Sequence, residues 1–326
     1  MNQAAGITVV FATHNGADTL PRMLDALEDL ETPMGGVKIV AVDNASTDNS
    51  AALIKSRSAS LPVELLTETR RGKSAALNRA LSAIEGDLVV LTDDDVVPRP
   101  DWLIAIRRVA DQQLAYDIFG GAIFPIWEST PPDWLLRCVP KGYFAWTDFK
   151  DGPIEPSSIW GPNMAVRSAI FRDHRFFEGI GPDGTQNYAV GSETEFARRA
   201  VKSGHKCWHS QKSVVGHVIG RHQMETEWLL QRAYNNARGW RRQCKLDNMH
   251  NPASTPGRGP FVTGEIVNAQ LDLMRKRIFG SFEDQFLAKL RLRSLQGDLA
   301  ERRSWHSRPN SFNDASVGSQ QHPDNI

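Results

Sequence analysis

The sequence predicts an α/β fold, a mostly parallel sheet with helices packed on both of its faces. Three observations carry that expectation. Short apolar runs alternate with amphipathic segments at the spacing of right-handed βαβ units. The runs are nearly continuous rather than alternating, as in strands buried on both faces. The fourth run, residues 88–91, leads straight into Asp93, Asp94 and Asp95, and open parallel sheets bind ligands beyond the carboxyl ends of their strands.

Taken in order, the first strand covers 7–11. Thr13, His14, Asn15 and Gly16 then turn into a helix with Leu20, Met23, Leu24, Leu27 and Leu30 on one face. A second strand, 37–42, ends at Asp43 and Asn44, and Ser46, Thr47 and Asp48 can cap the short helix holding Leu53 and Ile54. The third strand is 63–66. Gly72, Lys73 and Ser74 open a helix whose Leu77, Ala80, Leu81 and Ile84 face inward, ahead of the fourth strand. Pro98 and Pro100 stop that strand, and a helix over 101–112 and a strand over 118–124 follow.

Residues 125–162 break into Pro, Gly and aromatic residues, among them Trp127, Trp134, Tyr143, Trp146 and Trp160. A loop region of this length inside a compact domain is usually functional. Its rings can stack on a sugar or simply pack a second subdomain. A short strand at 163–166 precedes a helix opening at Gly191, with Glu193 and Glu195 at its start and Arg198, Arg199 and Lys202 near its end, the charge order a helix dipole favours. A strand over 214–219 carries His217, and an amphipathic helix covers 225–242. A Pro/Gly linker at 252–264 leads to a helix over 265–302. Leu271, Met274, Ile278, Phe282, Phe286 and Leu290 recur along it at helical spacing, with a break near Gly280. Residues 303–326 form a polar tail expected to be disordered.

The 326 residues, 40% of them hydrophobic, suffice for one large domain with a sizeable core. Equal numbers of basic and acidic side chains, 38 of each, argue against nucleic acid as a partner. Three irregularly spaced cysteines make no disulfide framework. Neither a signal peptide nor an apolar run of the ~18–20 residues a membrane span needs is present, so a cytoplasmic protein is expected. The basic, amphipathic stretch within 265–302 suits either packing on a partner or peripheral docking at the inner face of a membrane.

Several groups bear chemistry. Two aspartates one residue apart at a strand end can chelate a hard divalent cation while leaving positions for phosphate oxygens. Repulsion among three adjacent carboxylates there is poorly explained without a cation. His217 is a nitrogen ligand that can complete such a site. Glu193 and Glu195 each suit a helix cap or a general base, and the sequence does not choose between them. His205, Cys207 and His209 alternate along one strand face, yet their spacing is not that of a structural zinc site. Residues 179–184 match a dinucleotide-binding glycine pattern by letter, but no strand precedes them and no helix follows directly.

The segments VVFATHNGADTLPRMLDAL, IVAVDNASTDNS, RGKSAALNRAL, LVVLTDDDVVPRPDWL, GPNMAVRSAIF and GSETEFARRAVKSGHK together resemble the family 2 glycosyltransferases of the GT-A fold over about residues 6–220. The resemblance implies a Rossmann-like domain over 1–222, with a nucleotide-binding half (1–112) and an acceptor-side half (113–222), followed by a helical region over 223–302. It implies inverting transfer of a sugar from a nucleoside diphosphate donor, with Mg²⁺ or Mn²⁺, to a glycan or lipid-linked acceptor in cell-envelope polysaccharide assembly. By position, Thr13, His14 and Asn15 correspond to the loop beneath the nucleotide, and Lys73 to the wall of its cleft. Asp43 and Asn44 stand where an acidic pair contacts the base, commonly uracil, with Asn replacing the second carboxylate. Asp93, Asp94 and Asp95 form the D-x-D element, with Asp95 the direct metal ligand and Asp93 nearer ribose and metal. His217 falls at a third metal ligand, and Trp160 and Asn163 on the acceptor side. Glu193 occupies the place of the catalytic Asp, one methylene longer.

Two other functions compete. A sugar nucleotidyltransferase would need a Gly/Arg/Lys-rich first loop, which Thr13 to Gly16 is not. A catalytically silent binding protein would draw its support from Ser192-Glu193 standing where the family usually has Glu-Asp.

Overall fold

The computed structural model describes residues 6–250 and 262–306, which form one mixed sheet flanked by helices. Strands β1 (Ile7–Thr13), β2 (Val37–Asp43), β3 (Val63–Thr67) and β4 (Leu88–Asp93) run parallel in the order β3-β2-β1-β4. Helices α1 (Leu20–Glu28), α2 (Ser50–Ser56) and α3 (Lys73–Ala80) make the crossovers. The continuous apolar runs are explained by cores on both faces. Ile7, Val9 and Phe11 pack with Leu20, Met23 and Leu24 of α1, whereas Val10, Val40 and Val89 pack with Ala76, Leu77 and Ala80 of α3.

The second half is where the sheet becomes mixed. β8 (Met164–Arg167) lies antiparallel between β4 and β6 (Ile118–Trp127), and β9 (Cys207–Ile219) runs parallel to β6. Helix α4 (Trp102–Gln112) packs beneath, burying Trp102 completely, and α6 (Ser192–Lys202) covers the opposite face with Phe196. β9 begins seven residues before the expected 214, and residues 211–213 leave its register with β6. The two prolines at 98 and 100 do not end β-structure outright. Val96–Pro98 forms β5, which pairs with β9 as a short edge strand, where proline is tolerated. The Pro- and aromatic-rich stretch contributes the short helix α5 (Asp133–Cys138) and the two-residue strand β7 (Gly152–Pro153).

The C-terminal helices are α7 (Thr226–His250), α8 (Val262–Phe279) and α9 (Phe282–His306). Glu301, fully buried, joins α9 to α7 through Arg242 (2.6 Å) and Arg238 (2.9 Å). A side chain at Gly297 would collide with the Tyr234 backbone, so glycine permits the close approach of these two helices. The single helix expected over 265–302 is interrupted at Gly280 and Ser281. There Ser281 and Asp284 exchange hydrogen bonds that cap α9, and the chain reverses. Of the linker expected at 252–264, residues 252–261 lie outside the described residues and 262–264 are already helical. The expected disordered tail lies outside them beyond residue 306.

Because α8 folds back on α9 through Ala269 and Leu273, its Val267, Leu271, Met274 and Ile278 face outward. Of the apolar residues singled out along this segment, Phe286 enters the core, edge-on to Trp134, whereas Phe282 is largely exposed. Among the described residues no helix is long and apolar enough to cross a membrane.

Candidate active site

β1 has β2 on one side and β4 on the other, so crossovers leave its carboxyl end in opposite directions and open a crevice there. The crevice has two lobes, of about 490 Å³ and 450 Å³, that share Lys73, Asp93, Asp95, Pro182 and Tyr188. The first is lined by Thr13, His14, Asn44 and Arg71, the second by Trp160, Gly161, Glu193, His217, Trp228 and Arg232.

Four carboxylates and one amine dominate the junction. Lys73 Nζ pairs with Asp93 Oδ1 and, at 2.6 Å, with Glu193 Oε1. Burial alone would favour neutral Lys73, but the charges of Asp93 and Glu193 prevail and hold it firmly protonated. Burial likewise opposes ionised Glu193. Lys73 and the Ser192 hydroxyl, which donates to Oε2 at 2.7 Å, nevertheless hold its carboxyl below the ordinary range. Asp93 is pushed up by burial, against Lys73, and further by Asp95 and Glu193. Burial and the charge of Asp95 push Asp94 up to about 7, although Thr13 Oγ1 donates to its Oδ2 at 2.5 Å. Gly16 lies against this contact, where a methyl group would strike both Thr13 and Asp94.

Asp95 and His217 form the remaining pair. Antiparallel pairing of Val96 with His217, and a bond from Val218 N–H to the Asp95 carbonyl (2.9 Å), bring them together. His217 Nδ1 lies 2.8 Å from the Phe144 carbonyl and must carry hydrogen to donate to it, while Nε2 faces Asp95 Oδ2 at 3.3 Å. Burial opposes charge on both groups, but each favours the other's ionised form, so Asp95 is held low and His217 raised. Asp95 Oδ1 is buried with no hydrogen-bond partner. An orphaned carboxylate oxygen beside an imidazole already oriented through its other nitrogen is a donor set that fits a divalent cation. Among the described residues no three His, Cys, Asp or Glu side chains are gathered for a metal, and Asp93 is engaged by Lys73. A cation here therefore calls for further ligands from a bound molecule, as phosphate oxygens would provide.

Glu193 reaches this junction because Gly191, at φ 113°, turns the chain into α6. Gly161 lies opposite, where a side chain would press on Glu193 Oε1 and displace it from this position.

The family model for glycosyl transferase family 2 matches residues 8–175, more than half of the chain. The chain belongs to that family. It is 21% identical over 175 residues to a glucosyl-dolichyl phosphate glucuronosyltransferase of Haloferax volcanii, an alignment covering 51% of this chain and 54% of that one. It is 30% identical over 137 residues to an undecaprenyl-phosphate 4-deoxy-4-formamido-L-arabinose transferase of Pseudomonas aeruginosa, covering 41% and 40%. The chain thus spans about half the length, or less, of these relatives. Among solved structures, a mannosyltransferase from Pyrobaculum calidifontis in complex with GDP-Man and Mn²⁺ superposes with a TM-score of 0.59. The identity is 20%, and 94% of this chain and 89% of that one are covered. The fold is accordingly of the GT-A type expected from the sequence.

In this family 2 protein the expected site residues separate into two groups. Thr13, His14, Asn44, Lys73, Asp93, Asp94, Asp95, Trp160, Glu193 and His217 line the cleft. Asn163, expected on the acceptor side, turns away from it. It is 1% exposed, accepts from Trp102 Nε1 (2.9 Å) and donates to the carbonyls of Ala122 and Ser213, so it ties three elements together. Asn15 points to the other side of its loop, where it accepts from Thr47 N–H at 2.8 Å and adopts the left-handed conformation an Asn tolerates. Asp43 is buried and accepts from Ser46 N–H, stabilising the turn after β2.

Asn44 reaches the cleft, but its amide is already committed. It donates to the carbonyls of Glu68 and Arg70 and accepts from Gly72 N–H, which leaves it bracing the segment before Lys73 rather than free to read a base. Glu195, the other carboxylate of its helix start, is paired with Arg199 at 2.9 Å and does not line the cleft. His205 pairs with Asp117 and His209 packs edge-on to Phe149, so the alternating zinc-like row is not a site.

Other cleft residues escaped the sequence reading. Pro182, Gly184, Thr185, Gln186 and Tyr188 cover the first lobe, and the Pro182 carbonyl accepts from Lys73 N–H. Their glycine-rich signal was visible but resembled only a motif that the context excludes. Trp228, Arg232 and Asn236 enter from α7, so the C-terminal helical region walls the cleft rather than standing apart.

Proposed function

We propose that this protein is a metal-dependent inverting glycosyltransferase that moves a sugar from a nucleoside diphosphate donor to a hydroxyl of a glycan or lipid-linked acceptor. One observation carries the reading. The Asp95–His217 pair, with its unpartnered oxygen, and the carboxylate of Glu193 face one cleft, where Lys73 ties Glu193 to Asp93. Asp95 and His217, with oxygens of the donor's diphosphate, would hold Mg²⁺ or Mn²⁺, which when bound neutralises charge on the leaving diphosphate, while Asp93, the third ligand expected from the sequence, is held by Lys73. The first lobe, beneath Thr13 and beside Arg71, takes the nucleotide, uridine being the first candidate base. Lys73 offers its cation to the departing phosphate. Glu193 accepts the proton of the acceptor hydroxyl as the new glycosidic bond forms and the bond to the diphosphate breaks. The names of the relatives, which specify dolichyl and undecaprenyl phosphates, support a lipid-linked acceptor, and the GDP-Man and Mn²⁺ of the structural neighbour support the donor class and the metal.

The test is donor breakdown across UDP-, GDP- and dTDP-sugars with Mn²⁺ or Mg²⁺. Turnover of one donor, abolished by EDTA and restored by the metal, is the expected result. Failure to bind any nucleotide, with or without metal, would overturn the reading.

A second element of the proposal is peripheral attachment at the cytoplasmic face of a membrane. Val267, Leu271, Met274 and Ile278 lie one or two turns apart along α8 and are all more than half exposed, with Arg275 and Arg277 on either flank. The protein is expected to co-sediment with phosphatidylglycerol vesicles and far less with phosphatidylcholine vesicles. Leu271→Glu with Ile278→Glu should weaken binding about tenfold or more. A concentration-dependent dimer abolished by the same pair would instead mark the stripe as a self-contact.

A further inference from the structure

The second lobe contains a cation without a counter-charge. Arg232, on α7, is partly buried there, with Nη1 3.4 Å from Tyr188 Oη and the guanidinium carbon 5.9 Å from the centroid of the Trp228 ring. Its Nε is buried and donates to nothing, and among the described residues no carboxylate pairs with it. The lobe's other cationic groups are matched, Lys73 by Asp93 and Glu193, and His217 by Asp95. Close by, Tyr143, Gln223, Trp160 and Asn236 complete the wall.

An unpaired buried donor on a charged group is unfavourable unless a ligand completes it. The planar guanidinium favours oxyacid anions, which it can grip through two parallel N–H bonds. The acceptor's anion would otherwise meet repulsion, because Asp93, Asp95 and Glu193 all line the same lobe. A fixed cation at Arg232 offsets that repulsion on the side where the acceptor enters.

We propose that Arg232 binds an anionic oxyacid group of the acceptor, a phosphate or a carboxylate, carried next to the oxygen that is glycosylated. A sugar carboxylate is held and not transformed, whereas a lipid phosphate is held through oxygens beside the one that attacks the sugar; the inference rests on the glycosyltransferase reading of the cleft. It distinguishes an acidic acceptor, whether a lipid phosphate or an acidic sugar, from a neutral glycan.

The experiment is calorimetric titration of the protein, without donor or metal, with two matched pairs: farnesyl phosphate against farnesol, and methyl glucuronoside against methyl glucoside. Saturable binding of one anionic member is expected, with its neutral counterpart at least about tenfold weaker. Arg232→Gln should bring the anionic member down to the neutral level, and Arg232→Lys should retain an intermediate affinity because it keeps the charge but not the fork. Thermal melting of both variants checks that they are folded. Whichever pair responds identifies the source of the anion. Equal binding of a pair, binding indifferent to Arg232→Gln, or no binding of either anion would each overturn the inference. Loss of the glycosyltransferase reading would show separately, as absent nucleotide binding by the wild-type protein.

Discussion

Asp95→Ala should remove metal-dependent turnover of the donor, by about 10³-fold or more, while leaving the protein folded. A cation stabilising charge on a leaving diphosphate contributes several kcal/mol to the transition state, and each ~1.4 kcal/mol is a factor of ten in rate. The effect should be this large because Asp95 provides a buried carboxylate oxygen with no hydrogen-bond partner at the junction, and because its other oxygen faces the second candidate ligand, His217. The fold should survive because β5 is held to β9 by backbone pairing, not by the Asp95 side chain. Mn²⁺ binding followed by electron paramagnetic resonance, alongside donor turnover, checks the claim. Tight Mn²⁺ binding and undiminished turnover in the variant would remove Asp95 from the metal site. His217→Gln should give a smaller loss, since a neutral oxygen donor can still occupy the place of Nε2.

Glu193→Gln should abolish sugar transfer by roughly 10²–10⁴-fold, the range that general-base catalysis supplies, with donor and metal affinity little changed. The substitution keeps the shape of the side chain and an oxygen for Ser192, and removes the carboxylate charge together with its ion pair to Lys73. Transfer to an acceptor and hydrolysis by water must be measured separately, since water does not require the acceptor's base. Unchanged transfer would exclude Glu193 from that role. The charge state supplies a further signature. With Lys73 in place Glu193 is held below the ordinary carboxylate range, so an acid limb governed by it lies below that range as well. Removing the cation by Lys73→Met should move that limb upward, because the depression of the carboxyl derives chiefly from Lys73.

The aspartates at the end of β4 are legible in the sequence because their placement depends on short-range order. An apolar run of strand length followed by aspartates places those aspartates at the edge of the sheet whatever the remainder of the chain does. The acceptor side depends on which helix covers which strand. Glu193 and Glu195 are equivalent in sequence, two residues apart at a helix start, and differ only because Arg199 lies one turn beyond Glu195 whereas Lys73 approaches Glu193 from another element. Asn163 stands beside Trp160, which lines the cleft, but buried Trp102 draws its amide inward. Arg232 and Trp228 lie on an amphipathic helix whose pattern announces a helix without naming what it faces. His217 is a ligand candidate by sequence, but Pro98 and Pro100, expected to stop the strand, conceal the short β5 that presents it to Asp95.

That three-residue strand has a bearing on how the gene can vary. Asp95 and His217 are far apart in the chain, yet their spacing is set by one antiparallel register between β5 and β9. A single-codon insertion or deletion between Asp95 and Pro98 would shift that register and turn one member of the pair to the opposite face. Gln211 and Lys212, exposed and already outside the β6–β9 ladder, lie where length changes arising earlier in β9 are absorbed before they reach His217. Indels should therefore accumulate around 211–212 and be purged around 95–98, a pattern set by hydrogen-bond register more than by exposure.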